Sequence, residues 1–106
     1  MTDIRLTPQA RHDLEDIRRF TVETWGPDQW HRYFTGLLAA IERVTVERNC
    51  GRPRHSMRPK MRSLGYLQHL IFFEPIAHAG GETVILRIVH QRRDLSALTY
   101  FDDMNG

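Results

Sequence analysis

The sequence predicts an α+β domain of order βααβββ: an antiparallel helical hairpin packed on one face of an antiparallel sheet, with a short C-terminal helix. Three observations carry this. Apolar residues recur every three or four positions through the first half of the chain. The period drops to two in the second half, and the joints between segments are only a few residues long. With 106 residues the chain has the size of a single domain, 1–106.

Asp3-Ile4-Arg5-Leu6 alternates as a short strand does and stops at Thr7-Pro8. Thr7 suits a helix N-cap and Pro8 the first helical position, where a missing N–H costs nothing. Ala10, Leu14, Ile17 and Phe20 then line one helical face, with acids early and Arg18 and Arg19 late, the order favoured by the helix dipole. Trp25-Gly26-Pro27 ends this helix and starts the next. Trp30, Tyr33, Phe34, Leu37, Leu38, Ile41 and Val44 form the stripe of a second helix of about 20 residues, roughly 30 Å long. Asn49, Gly51 and Pro53 stop it. So short a joint places the two helices antiparallel.

Residues 61–64, 67–74 and 83–91 read as strands rich in Ile, Leu, Val and Phe, joined by turns at Gly65-Tyr66 and His78-Ala79-Gly80-Gly81. Short joints make them an antiparallel meander. Asp94 suits the cap of a last helix over 95–100. In the last strand Val84, Leu86, Ile88 and His90 share one side, expected to meet the helices. Arg87 is then expected on the open side, with Arg62 beside it.

Hydrophobic residues make up 41% and charged residues 26%, which excludes a disordered tail as the whole molecule. No window approaches a membrane-spanning length, and the charged first 20 residues leave no room for a signal-peptide core, so a cytoplasmic protein is expected. Cys50 has no partner for a disulfide and reads as an inert thiol. Six histidines show no HxH or HExxH spacing, so neither a metal nor a cofactor is expected.

Charge is unevenly spread. Residues 1–49 carry seven arginines and eight acids, a net of −1. Residues 50–93 carry seven arginines and one lysine against two glutamates, a net of +6. A basic half implies an acidic partner, either nucleic acid or an acidic protein segment. The run 51–62 holds five cations and no acid, and its two prolines are expected to keep it extended. Arginine stabilises anionic charge but cannot shuttle protons near neutrality. Proton-transfer candidates reduce to His55, His69, His90, Lys60, Glu74, Tyr66 and Tyr100, with His90 and His69 read first as structural. Phe20, Trp25, Trp30 and Phe34 read as packing between the helices, unless one is exposed to anchor a partner.

Taken in order, Leu6-Thr7-Pro8, Asp13-Leu14-x-x-Ile17, Trp25-Gly26, Tyr33 with Leu37, and Gly51-Arg52-Pro53-Arg54 form a set. It continues through Met61-Arg62-Ser63-Leu64, His69-x-Ile71-Phe72-Phe73 and the run from Ile85 to Asp94. The set resembles the RelE/ParE superfamily of toxins from type II toxin–antitoxin systems, most closely its ParE branch. Phe73-Glu74 departs from the aromatic–basic pair usual there.

The resemblance implies one of two activities and a co-expressed antitoxin. ParE-like members inhibit DNA gyrase by stabilising its cleaved-DNA complex, and RelE-like members cut messenger RNA on the ribosome. For the gyrase reading, which involves no catalysis, the residues expected to bind partners are Arg58, Lys60, Arg62, Arg87 and Arg92. For the nuclease reading, Arg62 and Arg87 would hold the phosphate, and His90 or Tyr100 would transfer protons. A third reading is an antitoxin-binding module without activity. The poor supply of proton-transfer groups favours the first.

Overall fold

The computed structural model describes residues 4–47, 49–76 and 82–91. Along the chain lie β1 (Arg5–Leu6), α1 (Pro8–Trp25), α2 (Pro27–Val46), β2 (Arg52–Pro53), β3 (Arg62–Tyr66), β4 (His69–Ile76) and β5 (Glu82–His90). The strands form one five-stranded sheet in the order β1-β5-β4-β3-β2. Neighbours β2–β3, β3–β4 and β4–β5 pair antiparallel, and β1 joins the edge of β5 in parallel. The expected turn at 78–81 and helix at 95–100 lie outside the described residues.

Thr7 begins the hairpin as its sequence position suggests. Its Oγ1 accepts the Ala10 N–H at 3.0 Å and donates to the Leu86 carbonyl at 2.7 Å. One side chain thus caps α1, a contribution of about 1 kcal/mol, and ties it to β5. Gly26, at φ 93, makes the turn between the helices in a region few other residues enter. On α2, Leu37, Ile41 and Val44 are buried against Ile71, Phe73, Ile85 and Ile88 of the sheet. Each such side chain, fully buried, stabilises the fold by about 1.5–3 kcal/mol.

A second cluster, Met61, Phe72, Leu86 and Val89, lies on the opposite sheet face, to which neither helix contributes. Val84 and Leu86 therefore belong to this face, contrary to the expectation from strict alternation. The cause is a β-bulge. Phe72 pairs with Arg87 and Phe73 with Ile85, so Leu86 is the extra residue and the phase of β5 slips there. Ile85 and Ile88, three apart, both reach the helices.

Three more expectations are corrected. The β3–β4 turn is at Leu67-Gln68 rather than Gly65-Tyr66, because Tyr66 still pairs with His69. The basic run is not extended throughout: β2 pairs with β3, and residues 54–61 fold into tight turns closed by Arg54 N→Met61 O and Met57 N→Arg54 O. Phe20 and Trp25 are 65% and 70% exposed. Full burial on α1 stops at Asp13, and beyond it Leu14 and Ile17 are partly buried against the core while Phe20 and Trp25 are not. Trp30 and Phe34 do stack, with ring centroids 5.1 Å apart.

A basic groove and an aromatic–histidine cluster on opposite faces

On the helix-free face, β2, β3 and the end of β5 enclose an open groove of about 490 Å³ lined by Gly51, Arg52, Arg54, Ser63, Gly65, Leu70 and Gln91. Gly51 makes this possible. It sits at φ 77, and a Cβ there would come within 2.2 Å of the Ser63 carbonyl oxygen. Arg54 donates from Nε to Ser63 Oγ at 2.8 Å, and its guanidinium carbon lies 5.9 Å from the centroid of the Phe72 ring. Burial, and then neighbouring Arg52, lower the pKa of Arg54 from its usual value. The group stays a cation at neutral pH even so.

Of the proton-transfer candidates, His69, His90 and Tyr66 gather on the other face, beneath α2, whereas His55 and Lys60 are exposed on the 54–61 loop and Glu74 pairs with Arg58. Tyr33 hydroxyl bonds His69 Nδ1, and Tyr66 and His69 meet the Tyr33 ring edge-on at 5.3 and 5.5 Å. His90, paired with His69 across the strands, lies edge-on to it at 5.4 Å. Gly36 leaves room for this cluster, since a Cβ on it would overlap the Tyr66 hydroxyl at 1.8 Å. Burial raises the Tyr33 pKa to about 12, and burial with His90 nearby lowers that of His69 to about 4. Tyr33 therefore serves as the donor and His69 as the neutral acceptor at pH 7.

The expected binding arginines are not gathered on one surface. Arg87 sits opposite Phe72 of the helix-free face but does not present its charge there. It is 9% exposed and bonds Asp13 of α1 through Nε at 2.7 Å and Nη2 at 2.8 Å. Arg62 turns to the loop after α2, donating to the carbonyls of Cys50, Asn49 and Gly51. Arg58 pairs with Glu74 at 2.8 Å, and Lys60 is exposed on the same loop. Arg92 and Tyr100 lie outside the described residues. His90 is on the helix side as expected, now with His69, Tyr33 and Tyr66 for company. Arg52 and Arg54 belong to the basic run the sequence singles out, whereas the parts played by Asp13 and Tyr33 are visible only in the structure, although each lies inside a quoted motif. Among the described residues no three His, Cys, Asp or Glu side chains form a metal-ligand set, and no helix is long and apolar enough to cross a membrane.

The fold is that of a solved structure described as a chromosomal ParDE toxin–antitoxin system from P. aeruginosa. The match has a TM-score of 0.68 at 25% identity and covers 85% of this chain and 96% of that one. Toxin ParE1 of Mycobacterium tuberculosis (strain H37Rv) is 33% identical over 90 residues, covering 85% of this chain and 90% of its own. Toxin ParE of Escherichia coli is 32% identical over 95 residues, covering 90% of each. Toxin ParE1 of Caulobacter vibrioides is 29% identical over 97 residues, covering 92% of this chain and 97% of its own. Residues 4–95 match the family described as ParE toxin of type II toxin–antitoxin system, parDE, and the chain belongs to that family.

Proposed function

We propose that this toxin acts in the cytoplasm by binding DNA gyrase and stabilising its cleaved-DNA complex, and that a cognate antitoxin neutralises it. The reading rests on family membership across residues 4–95. One structural observation favours binding over catalysis: the described cations of the open groove lie on one face of the sheet, and His69 and His90 lie with Tyr33 and Tyr66 on the other. Cleaving RNA through its 2′-OH needs a base, an acid and charge stabilisation around one phosphate. Here Arg62 and Arg87 are engaged by carbonyls and by Asp13, and His90 sits behind the sheet from the groove. On this reading the toxin acts by binding.

The antitoxin reading draws on charge. A positive second half suits an acidic amphipathic segment that orders on binding. The test is gyrase supercoiling of relaxed plasmid. The toxin should stop it and leave cleaved plasmid, and equimolar antitoxin should restore it. Unimpaired supercoiling at stoichiometric toxin excess contradicts the proposal.

A further inference from the structure

Arg54 differs from the other arginines that the fold draws inward. Arg58 has Glu74, Arg87 has Asp13, and Arg62 has three carbonyls. Arg54 is half-buried, yet among the described residues no carboxylate or carbonyl receives it; it holds Ser63 Oγ with Nε and lies near the Phe72 ring. Its terminal nitrogens remain as donors beside a second cation, exposed Arg52, in the groove they line together. Two like charges held close, one of them partly removed from water, are an arrangement that an anion relieves.

We propose that the Arg52–Arg54 groove takes the sugar-phosphate backbone of a DNA strand. Three features choose a phosphodiester chain over an acidic peptide. The groove is open rather than closed around a single group, so a chain can pass through it. Its edge strand is β2, where Pro53 has no N–H to offer, so an added peptide strand finds a poor template. Among the described residues Leu70 is the one apolar side chain in its lining, too little to anchor a peptide. Ser63 Oγ, accepting from Arg54, keeps its own proton to donate to a phosphate oxygen. The choice of DNA over RNA rests on the gyrase reading above; the choice of a phosphodiester does not.

The experiment measures fluorescence anisotropy of a fluorescein-labelled single-stranded oligodeoxynucleotide with the intact toxin, without gyrase, across a salt series. The same-sequence RNA and a poly-glutamate peptide serve as competitors. Wild-type toxin should bind the DNA, and Arg52→Gln should weaken binding about threefold to tenfold and reduce the log–log salt slope by about 0.7. Arg52→Gln with Arg54→Gln should weaken it further. Arg18→Gln, on exposed α1, should leave it unchanged. Because Arg52 is exposed and outside the core, its variant tests the proposal even where Arg54→Gln fails to fold. No DNA binding by wild type, or wild-type affinity in Arg52→Gln, overturns the proposal. So does RNA bound tenfold tighter than DNA, or displacement of DNA by poly-glutamate at equal charge. A supercoiling assay on the same preparations separates the two readings. Gyrase inhibition without DNA binding discards the groove alone, and DNA binding without inhibition discards the gyrase reading alone.

Discussion

Asp13 on α1 and Arg87 on β5, 74 residues apart, form a two-pronged ion pair that also closes the sheet edge. β1 ends at Leu6, opposite Ile85, so that edge of β5 continues past it without a partner strand. Asp13 takes over there: its Oδ2 accepts the Ile88 N–H at 3.0 Å as well as Arg87 Nε. The carboxylate substitutes for the strand that stops short and fixes α1 against the sheet.

Removing Asp13 leaves a buried guanidinium and a buried N–H less well satisfied. Asp13→Ala should cost about 3–5 kcal/mol, read as a lower denaturant midpoint with unchanged slope. Replacing the pair by Asp13→Leu with Arg87→Met should recover much of this, since an apolar pair of similar volume needs no charge compensation. Equal destabilisation in the double variant would contradict the assignment.

Arg62 ties the loop after α2 to β3 through three carbonyls. Arg62→Ala is expected to lower stability by about 1–3 kcal/mol. Its affinity for gyrase, measured below the new melting transition, should stay near wild type. A large affinity loss with unchanged stability would return Arg62 to the binding surface.

Leu67 occupies the turn between β3 and β4 at φ 50 and is 68% exposed, so its side chain gains little from packing there. Leu67→Gly relieves the left-handed strain and should raise the melting temperature, by about 1 kcal/mol of stability or less. A clear decrease would mean that Leu67 packs in a way its exposure does not show.

His69 makes stability pH-dependent. Burial and His90 hold its pKa near 4 against an ordinary 6.5, while Asp13 opposes the shift. Tyr33 on α2, Tyr66 on β3 and His90 on β5 are the titratable groups packed around it. The unfolded chain binds the proton more readily, so this stabilisation is complete above pH 6.5 and is lost as pH falls toward 4. Water reaches part of the ring, which reduces the effect to about 1–2 kcal/mol. Melting temperature should fall between about pH 7 and pH 5, and His69→Gln should flatten that slope. An unchanged slope in the variant would remove His69 as the cause.

The helical hairpin was legible because its signals are local. Thr7-Pro8, Gly26-Pro27 and the apolar stripe through Leu37, Ile41 and Val44 act within one helix or turn, and the structure uses each as read. The strands were legible as strands. The faces of Arg87, Ile88, Val89 and His90 were legible too, but those of Val84, Ile85 and Leu86 were not, because one extra residue at Leu86 shifts the phase there and nothing in Val84-Ile85-Leu86-Arg87-Ile88 marks a bulge. Arg87, opposite Phe72, does hold the open-side position expected of it, and only its pairing with Asp13 takes its charge away from that face. Asp13 read as a dipole-favoured charge because its partner is on a distant strand. Gly51-Arg52-Pro53-Arg54 was visible as a basic motif. That Arg54 would go without an acid while Arg58, four residues on, finds Glu74 depends on tertiary placement.

The most direct measurement runs purified toxin in two parallel reactions, one with gyrase and relaxed plasmid, the other with translating ribosomes and a messenger. Loss of supercoiling with accumulated cleaved plasmid, beside intact message, is the expected result. Message cut on ribosomes with supercoiling unaffected would contradict it, and would require the groove's cations and a proton-transfer group to meet around one phosphate.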